Sequence, residues 1–328
     1  MMNKAYISQH RLCSILAMVI AAAICLSCSH DHDHDEHHQE DLTIMFHAVS
    51  GETHVSCGEP FSLKEGEEPS FYLKDLRLFI HDVELKTTSG DWVPFSFLDD
   101  DEWSDGAVTL LDYEDGTANC DEGGGLLMNH QIRGSLPHGD YQSIRFRVGV
   151  PPLLNHNDVT TAEEPLNTSA MFWVWQRGYK FMRIELTEEL GDLNKPWLFH
   201  LGSTGCESDA PTSPPEAPCE KRNSPWITIK NFDLNSEHVA LDLRGLLANI
   251  DLDLNTEETP SGCMSMPSES VECAPLFENL GLSFSTGAPI DCEGGCPAVF
   301  RAMNNDHDHG ASDHHSHGEG DHHAHEGH

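Results

Sequence analysis

The chain has 328 residues and carries 55 acidic side chains against 18 Lys plus Arg, so its formal net charge at pH 7 is −37. This acidic excess argues against a nucleic-acid partner, because neutralising phosphates requires clustered Lys and Arg. It also disfavours binding to an anionic membrane surface. The 11 Cys and 23 His are the first indication of chemistry.

The amino terminus has the pattern of an export signal. Lys4 and Arg11 precede an apolar run over residues 12–26, which is too short to span a membrane comfortably. The sequence Ser27-Cys28 at the end of this run resembles a bacterial lipoprotein cleavage site, with Cys28 as the acylated residue. Ordinary signal cleavage nearby is the alternative. We therefore predict a signal peptide over 1–27 and a mature protein in the periplasm or cell envelope, held to a membrane only through this lipid.

Export makes the cysteine count interpretable, because cysteines in oxidising compartments commonly form disulfides. Three of the 11 Cys lie in the signal or at its cleavage site, which leaves eight. The alternative is metal ligation by thiolates, with which the four-residue spacing of the last two cysteines is compatible, although no second close pair completes a tetrahedral site. Proximity along the chain suggests the pairs Cys206–Cys219, Cys263–Cys273 and Cys292–Cys296, with Cys57–Cys120 as the long-range pair.

Both ends of the mature chain are rich in His and Asp. The linker over 28–41 contains His30, His32 and His34, and the tail over 305–328 contains nine His, of which His307 and His309 come first. Neither segment has enough apolar surface to offset its ordering entropy, so we expect both to be disordered. Such tracts chelate copper, zinc or nickel weakly; a solvated charged linker is the alternative.

The residues between these ends, 42–304, form the predicted folded domain. Apolar and polar side chains alternate over 42–49 and 71–85, which predicts two strands. A short helix is predicted at 243–250. Strands of this length with turn signals between them predict an all-β domain, an antiparallel sandwich or barrel stapled by disulfides. Further strands are predicted at 92–97, 107–113, 141–150, 179–186, 197–201, 226–232 and 238–243.

Six separated motifs in the middle of the chain carry a family resemblance. They are Asp75-Leu-Arg-Leu-Phe-Ile80, Ala107-Val-Thr-Leu-Leu-Asp-Tyr-Glu114, Gly149-Val-Pro151 with Asn155-His156, Met171-Phe-Trp-Val-Trp-Gln-Arg-Gly-Tyr-Lys-Phe181, His200-Leu-Gly-Ser-Thr-Gly-Cys206 and Gly262-Cys-Met-Ser265. In this order the set resembles the MbnP-like family, the four-Cys protein of the metallo-mystery pair, over roughly residues 42–284. The Cys292–Cys296 pair is additional to the usual family pattern.

The resemblance implies an exported β-rich protein that binds copper and is not itself an enzyme. The partner of the family is a di-haem enzyme related to bacterial cytochrome c peroxidases. That partner oxidises one Trp of the family member to kynurenine, which then helps to bind copper. The cofactor implied for this chain is therefore copper, and the implied partner is the di-haem enzyme.

Three tryptophans are candidates for this oxidation. An indole N–H only donates, so Trp cannot ligate a metal, whereas kynurenine has an aromatic amine and a ketone with lone pairs. Trp173 and Trp175 lie in the densest motif and would share a face if the segment were extended. Trp103, on an acidic loop, is the next candidate. The alternative is that these indoles only pack in the core.

Copper also needs imidazole or soft sulfur ligands. Of eight His between the tails, His156 follows Val150-Pro-Pro in a loop and His200 ends a predicted strand before a Gly-rich turn. Both coincide with the family motifs and are predicted ligands. Met171 is a candidate thioether ligand, with core packing as the alternative. His47 and His81 lie within strands, where a lone His is usually structural.

Motifs of autonomous catalysis are absent from the sequence. It contains no Gly-x-Ser-x-Gly elbow, phosphate-binding Gly loop or His-Glu-x-x-His motif. The Cys-x-x-Cys-His haem attachment motif is also missing, so any haem must belong to a partner. Two alternatives to the copper hypothesis stay open. One is a metal-buffering lipoprotein in which only the His-rich tails bind, and the other is a structural or adhesive β-sandwich without a specific copper site.

Overall fold

The computed structural model describes residues 39–99, 102–120, 125–188, 196–290 and 298–305. Several predicted features lie outside these ranges, namely the signal peptide, Cys28, the His-rich tracts with His30, His32, His34, His307 and His309, and the Cys292–Cys296 pair. In the described part of the chain, no helix has the length and apolar character needed to cross a membrane.

Regular structure in the described ranges consists of fourteen strands, two short helices and two 3₁₀ turns. The helices are α1 (Leu243–Leu246) and α2 (Ser270–Asn279), and the 3₁₀ turns cover Ala118–Cys120 and Ser169–Met171. The all-β prediction is confirmed. The strands are β1 (Gln39–Ser50), β2 (Thr53–His54), β3 (Tyr72–Thr87), β4 (Trp92–Pro94), β5 (Ser96–Phe97), β6 (Val108–Asp112), β7 (Gln131–Pro137), β8 (Tyr141–Val148), β9 (Met182–Thr187), β10 (Trp197–Leu201), β11 (Trp226–Lys230), β12 (Glu237–Asp242), β13 (Gly262–Cys263) and β14 (Phe300–Asn304).

The strands form two sheets. The first has the order β14-β12-β1-β7-β5, with β2 beside β1, and the second has the order β11-β8-β3-β9-β10-β13, with β4 and β6 also paired to β3. Most pairs are antiparallel, as predicted, but β1 and β12 run parallel, and so do β10 and β13. Both parallel pairs join strands that are far apart in the sequence.

The main hydrophobic core lies between the sheets. Phe46 of β1 meets Phe146 of β8 edge to face, with ring centroids 5.5 Å apart, and Phe146 meets Phe300 of β14 at 5.3 Å. All three aromatic side chains are buried. Aromatic pairs in this geometry add stabilisation beyond the area that they bury. Alternation along β1 sends Phe46 and Ala48 into this core and the intervening side chains to the opposite face of the sheet.

Three of the four predicted disulfides are present in the described residues. They are Cys57–Cys120, Cys206–Cys219 and Cys263–Cys273. The thiolate alternative is therefore wrong for these six cysteines. The Cys57–Cys120 bond joins residues 63 positions apart, which in the chain-entropy model stabilises the fold by about 4 kcal/mol.

Several elements differ from the sequence predictions, and the strands β2, β13 and β14 were not predicted. The strand predicted over 92–97 is split at the buried Phe95, because β4 pairs with β3 in the second sheet and β5 pairs with β7 in the first. The predicted helix over 243–250 is a single turn. Strand β7 was missed because Gly134 interrupts its pattern; a Cβ there would lie 2.2 Å from the Ser96 carbonyl oxygen. Helix α2 was missed because it contains Pro275.

Candidate functional site

The Trp motif forms a hairpin rather than a continuous strand. Phe172 pairs with Tyr179, and the Trp173 amide donates to the Gly178 carbonyl at 3.1 Å. Gly178 has φ +73°, and a Cβ there would lie 2.1 Å from the carbonyl oxygen of Asn155. The chain therefore needs glycine at this corner for both conformation and space. The expectation that Trp173 and Trp175 share a face of an extended segment is wrong, because Trp175 lies in the turn.

Trp173 lies at the base of this hairpin against the turn that follows β10. A Cβ on Gly202 would lie 2.5 Å from Cζ3 of the indole, so the ring packs directly on the glycine backbone. The ring centroid is 6.4 Å from that of His200, and the Arg177 guanidinium lies 6.0 Å from the ring. The side chain is half-buried, and its Nε1 is buried without a hydrogen-bond partner among the described residues. A buried donor in this state costs about 1–3 kcal/mol.

His200, at the end of β10, is buried and oriented by a carboxylate. Its Nε2 lies 2.9 Å from Oε1 of Glu185 on the neighbouring strand β9. Because burial lowers the pKa of His200, the ring is neutral near pH 7, and Nε2 carries the proton that the carboxylate accepts. The Nδ1 lone pair is then available, and this atom is buried with no hydrogen-bond partner among the described residues. A carboxylate behind a neutral imidazole is the usual arrangement at metal-ligating histidines.

A buried network of charges supports Glu185. Burial alone would raise the pKa of this carboxyl, but hydrogen bonds from His200 and Arg183 outweigh it and lower the pKa to about 2. Arg183 donates to Glu185 at 2.7 Å and also pairs with Asp75 at 3.0 Å. Asp75 pairs in turn with Arg77, whose guanidinium lies 3.3 Å from Glu114. The network therefore fixes the acceptor that orients the imidazole.

The far end of this network carries a carboxyl with a raised pKa. Burial raises the pKa of Glu114 to about 7, against the opposing attraction of Arg77. The side chains of Asp75 and Arg77 are 1% and 2% exposed, so water screens their charges little. Both residues belong to the first family motif, but neither was predicted to have a role in the site. The sequence signal for this network is that the two charged residues are two positions apart within an apolar strand, which places both side chains on one face of the sheet.

His156 lies against the turn of the hairpin. Its Nδ1 is 2.9 Å from the Trp175 carbonyl oxygen, an acceptor, so Nδ1 carries the proton and Nε2 has the lone pair. Nε2 lies 3.2 Å from the Asn155 amide nitrogen and 3.3 Å from Sγ of Cys219. Burial lowers the pKa of His156, so this ring is also neutral near pH 7.

A cavity of about 450 Å³ opens beside this histidine, and Phe181, Ser203 and Arg222 are among the residues that line it. The His156 ring and the sulfurs of Cys206 and Cys219 lie within ligand distance of a common point. These sulfurs form a disulfide, however, so they are not thiolates and are weak ligands. The same holds for the cluster of Cys263, Glu269 and Cys273.

The structure thus brings four of the predicted site residues to one hairpin. Trp173 contacts the His200 region, and the Trp175 backbone holds His156. Met171 is fully buried in the main core immediately before the hairpin. Trp103 lies elsewhere, before β6, where its carbonyl accepts from Leu110 at 2.9 Å and its side chain packs against the main core.

The fold and the site together define a class of protein: a disulfide-stapled pair of β-sheets in which an indole and two neutral imidazoles surround one hairpin. The MbnP family model matches residues 39–265, which is more than half of the chain. The chain belongs to the MbnP family, and membership supports a metal-related role.

A solved structure agrees with this assignment. The chain is similar to MbnP from Methylosinus trichosporium, with 26% sequence identity and a TM-score of 0.68. The match covers 81% of this chain and 99% of the other. No curated protein sequence matches the chain.

Proposed function

We propose that this protein is an exported copper-binding protein whose site is completed when a partner di-haem enzyme oxidises Trp173 to kynurenine. The observation that carries the proposal is a pair of buried nitrogens without partners among the described residues, Nε1 of Trp173 and Nδ1 of His200. Their rings lie side by side, with centroids 6.4 Å apart. A buried donor and a buried lone pair that are both unsatisfied are each costly in a finished site. Ring opening would replace the donor with an amine that has its own lone pair.

The residues present fit copper. His200 is the first proposed ligand through Nδ1, and His156 is the second through Nε2, since both imidazoles are neutral near pH 7 and Cu ions favour imidazole nitrogen. The kynurenine amine would be the third. Trp175 has a positioning role in this proposal, because its carbonyl orients the His156 ring. Bound copper would make the chain a store or carrier of the metal, without catalysis of its own.

The oxidation balances with peroxide as the oxidant used by the partner. Cleavage of the indole C2–C3 bond adds two oxygen atoms and removes four electrons, which two peroxides accept as they are reduced to water. Hydrolysis of the resulting formamide then releases formate and leaves the aromatic amine. The hairpin tip suits an approach from outside, because Val174 at the tip is 39% exposed and Leu153, two residues before Asn155, is 93% exposed.

Peptide mapping of the full chain co-expressed with the partner enzyme tests the proposal. The peptide across residues 170–180 should gain two oxygens and lose one carbon with its oxygen, and fragment ions should place the change on Trp173. The W173F variant should lose both the mass change and the copper retained against a competing chelator. W103F is the matched control, because Trp103 lies away from the hairpin, before β6, and it should keep both. An unchanged mass in the wild-type peptide, with the partner active, would refute the proposal.

The 14 His of the two tracts support a second candidate, a metal-buffering lipoprotein anchored through Cys28. In that case all copper binding resides in the tracts, and the W173F variant should retain as much copper as the wild type. Replacing the nine His of the tail over 305–328 with Asn should then remove most of the bound metal. If the copper stays in the tail variant and is lost in W173F, the buffering candidate fails.

A further inference from the structure

A second group of imidazoles lies on the outer face of the first sheet, apart from the Trp173 hairpin. Along β1, Phe46 and Ala48 belong to the main core, whereas Val49 belongs to a separate small cluster with Ala240 and Met303. Since side chains alternate along a strand, His47 shares the face of Val49, opposite to the main core. A sheet face directed away from the core usually carries charged and hydroxyl side chains; here it carries imidazoles.

The strand register brings two more histidines to this face. His238 of β12 lies opposite Met303 of β14, and His54 of β2 lies opposite Val49. Residues paired across neighbouring strands point to the same side of the sheet. His47, His54, His238 and Met303 therefore share one face, contributed by four different strands.

The distances show that the three rings are in contact. Nε2 of His47 lies 2.7 Å from Nδ1 of His238, and the ring centroids of these residues are 4.9 Å apart. The His54 ring packs edge to face on His47 with centroids 5.1 Å apart. The nearby cation on this face, Arg301, is neutralised by Glu52 at 3.2 Å and by Asp242 at 3.5 Å.

We propose that His47, His54 and His238 form a second metal site, which takes a borderline divalent ion of the Zn²⁺ and Cu²⁺ class through three imidazole nitrogens. Imidazole nitrogens bind such ions in preference to Mg²⁺ or Ca²⁺. Two nitrogens on one tetrahedral Zn²⁺ are about 3.3 Å apart, since each Zn–N bond is about 2.0–2.1 Å long. As the rings stand, one nitrogen from each of the three histidines does not lie within 4.8 Å of the other two. The His47–His238 pair reaches the Zn²⁺ separation by a small rotation of either ring, and the exposed His54 must turn its ring to bring a nitrogen toward that pair.

The His-rich sequence begins directly after a strand that borders this site. Strand β14 ends at Asn304, next to the pair that contains His238, and the Asn305 amide donates to the Ser236 carbonyl at 3.1 Å. His307 and His309 follow within four residues of Asn305. The His-rich sequence therefore follows directly on a segment that lies beside the proposed site. The site does not depend on oxidation of any Trp.

Residue-resolved chemical modification of the full chain tests this site despite the metal bound by the tail. Diethylpyrocarbonate labels histidine nitrogens that are not engaged by a metal, and peptide mass spectrometry reports each position. Titration with Zn²⁺ beyond the capacity of the tail should lower labelling of the exposed His54 several-fold. His138, which is exposed and lies 3.3 Å from Glu40, is the control and should keep its labelling.

The H238Q variant should lose the Zn²⁺ protection of His54, with an apparent affinity at least about tenfold weaker. The H54Q variant is a second test that should not disturb folding, because His54 is exposed on a two-residue strand. In H54Q, Zn²⁺ should protect His238 from labelling less than it does in the wild type. The metal-free unfolding midpoint of each variant checks that the fold is intact. Equal labelling of His54 with and without Zn²⁺, or full protection persisting in H238Q, would overturn the proposal.

Discussion

Replacing Glu185 with Gln separates the structural and metal-orienting roles of the buried carboxylate behind His200. The native contacts lower the pKa of Glu185 from 4.5 to about 2, which corresponds to about 3 kcal/mol of folding free energy. Because the pKa is lowered by folding, this contribution is fully present above pH 4.5 and is lost as the pH falls toward 2. Glu185→Gln should therefore cost about 3 kcal/mol at pH 7 and progressively less in acid.

Urea unfolding of both proteins across pH 2.5–7 measures this effect. The matched control is Glu188→Gln, since Glu188 is exposed three residues further along the chain. Glu185→Gln should also weaken copper binding roughly 10–100-fold, the usual effect of removing the group that orients a ligating histidine. If the free energies of wild type and Glu185→Gln stay parallel across this pH range, the carboxylate does not have the role that the structure gives it.

Three further substitutions test other parts of the site and the fold. Gly202→Ala should push the Trp173 ring off the backbone and reduce both its oxidation and copper retention, as measured by peptide mass and near-UV circular dichroism. Gly139→Ala should change neither, because its Cβ would make only ordinary van der Waals contact with Tyr141, at 3.9 Å or more. Replacing the Cys57–Cys120 pair with serines should cost about 4 kcal/mol in urea unfolding, and a loss below 1 kcal/mol would contradict the chain-entropy argument. His156→Gln should weaken copper retention against a chelator while leaving the mass change at Trp173 intact.

Much of the fold could be predicted from the sequence because its strands alternate cleanly. Strand β10 was predicted at its observed bounds, and β1, β3 and β8 within a few residues. The disulfides could be paired by proximity because the loops that they close are short or, for Cys57–Cys120, because no other partners were left. Elements with a conflicting local signal were missed, as Pro275 within α2 illustrates.

The site was predicted only in part, because its supporting residues meet through long-range pairing. His156, His200 and Trp173 were identified through the family motifs. The Glu185–Arg183–Asp75 network could not be identified from the sequence, because these side chains meet only through the register of β9 against both β3 and β10. His47 on the outer sheet face was interpreted as structural for the same reason, and His54 and His238 were given no role. A strand read alone shows which residues share its face, but not which other strands complete that face.

The parallel pairing of β1 with β12 affects how the chain folds. Phe46 is aligned with Val239, nearly two hundred positions later, and β14 then closes the edge of β12. Because synthesis runs from the amino terminus, β1 is made long before the neighbours that complete its sheet exist. Such distant pairings slow folding, so an incomplete chain exposes an unfinished sheet edge until its last strand emerges, and premature termination anywhere before residue 300 would leave that edge open to aggregation.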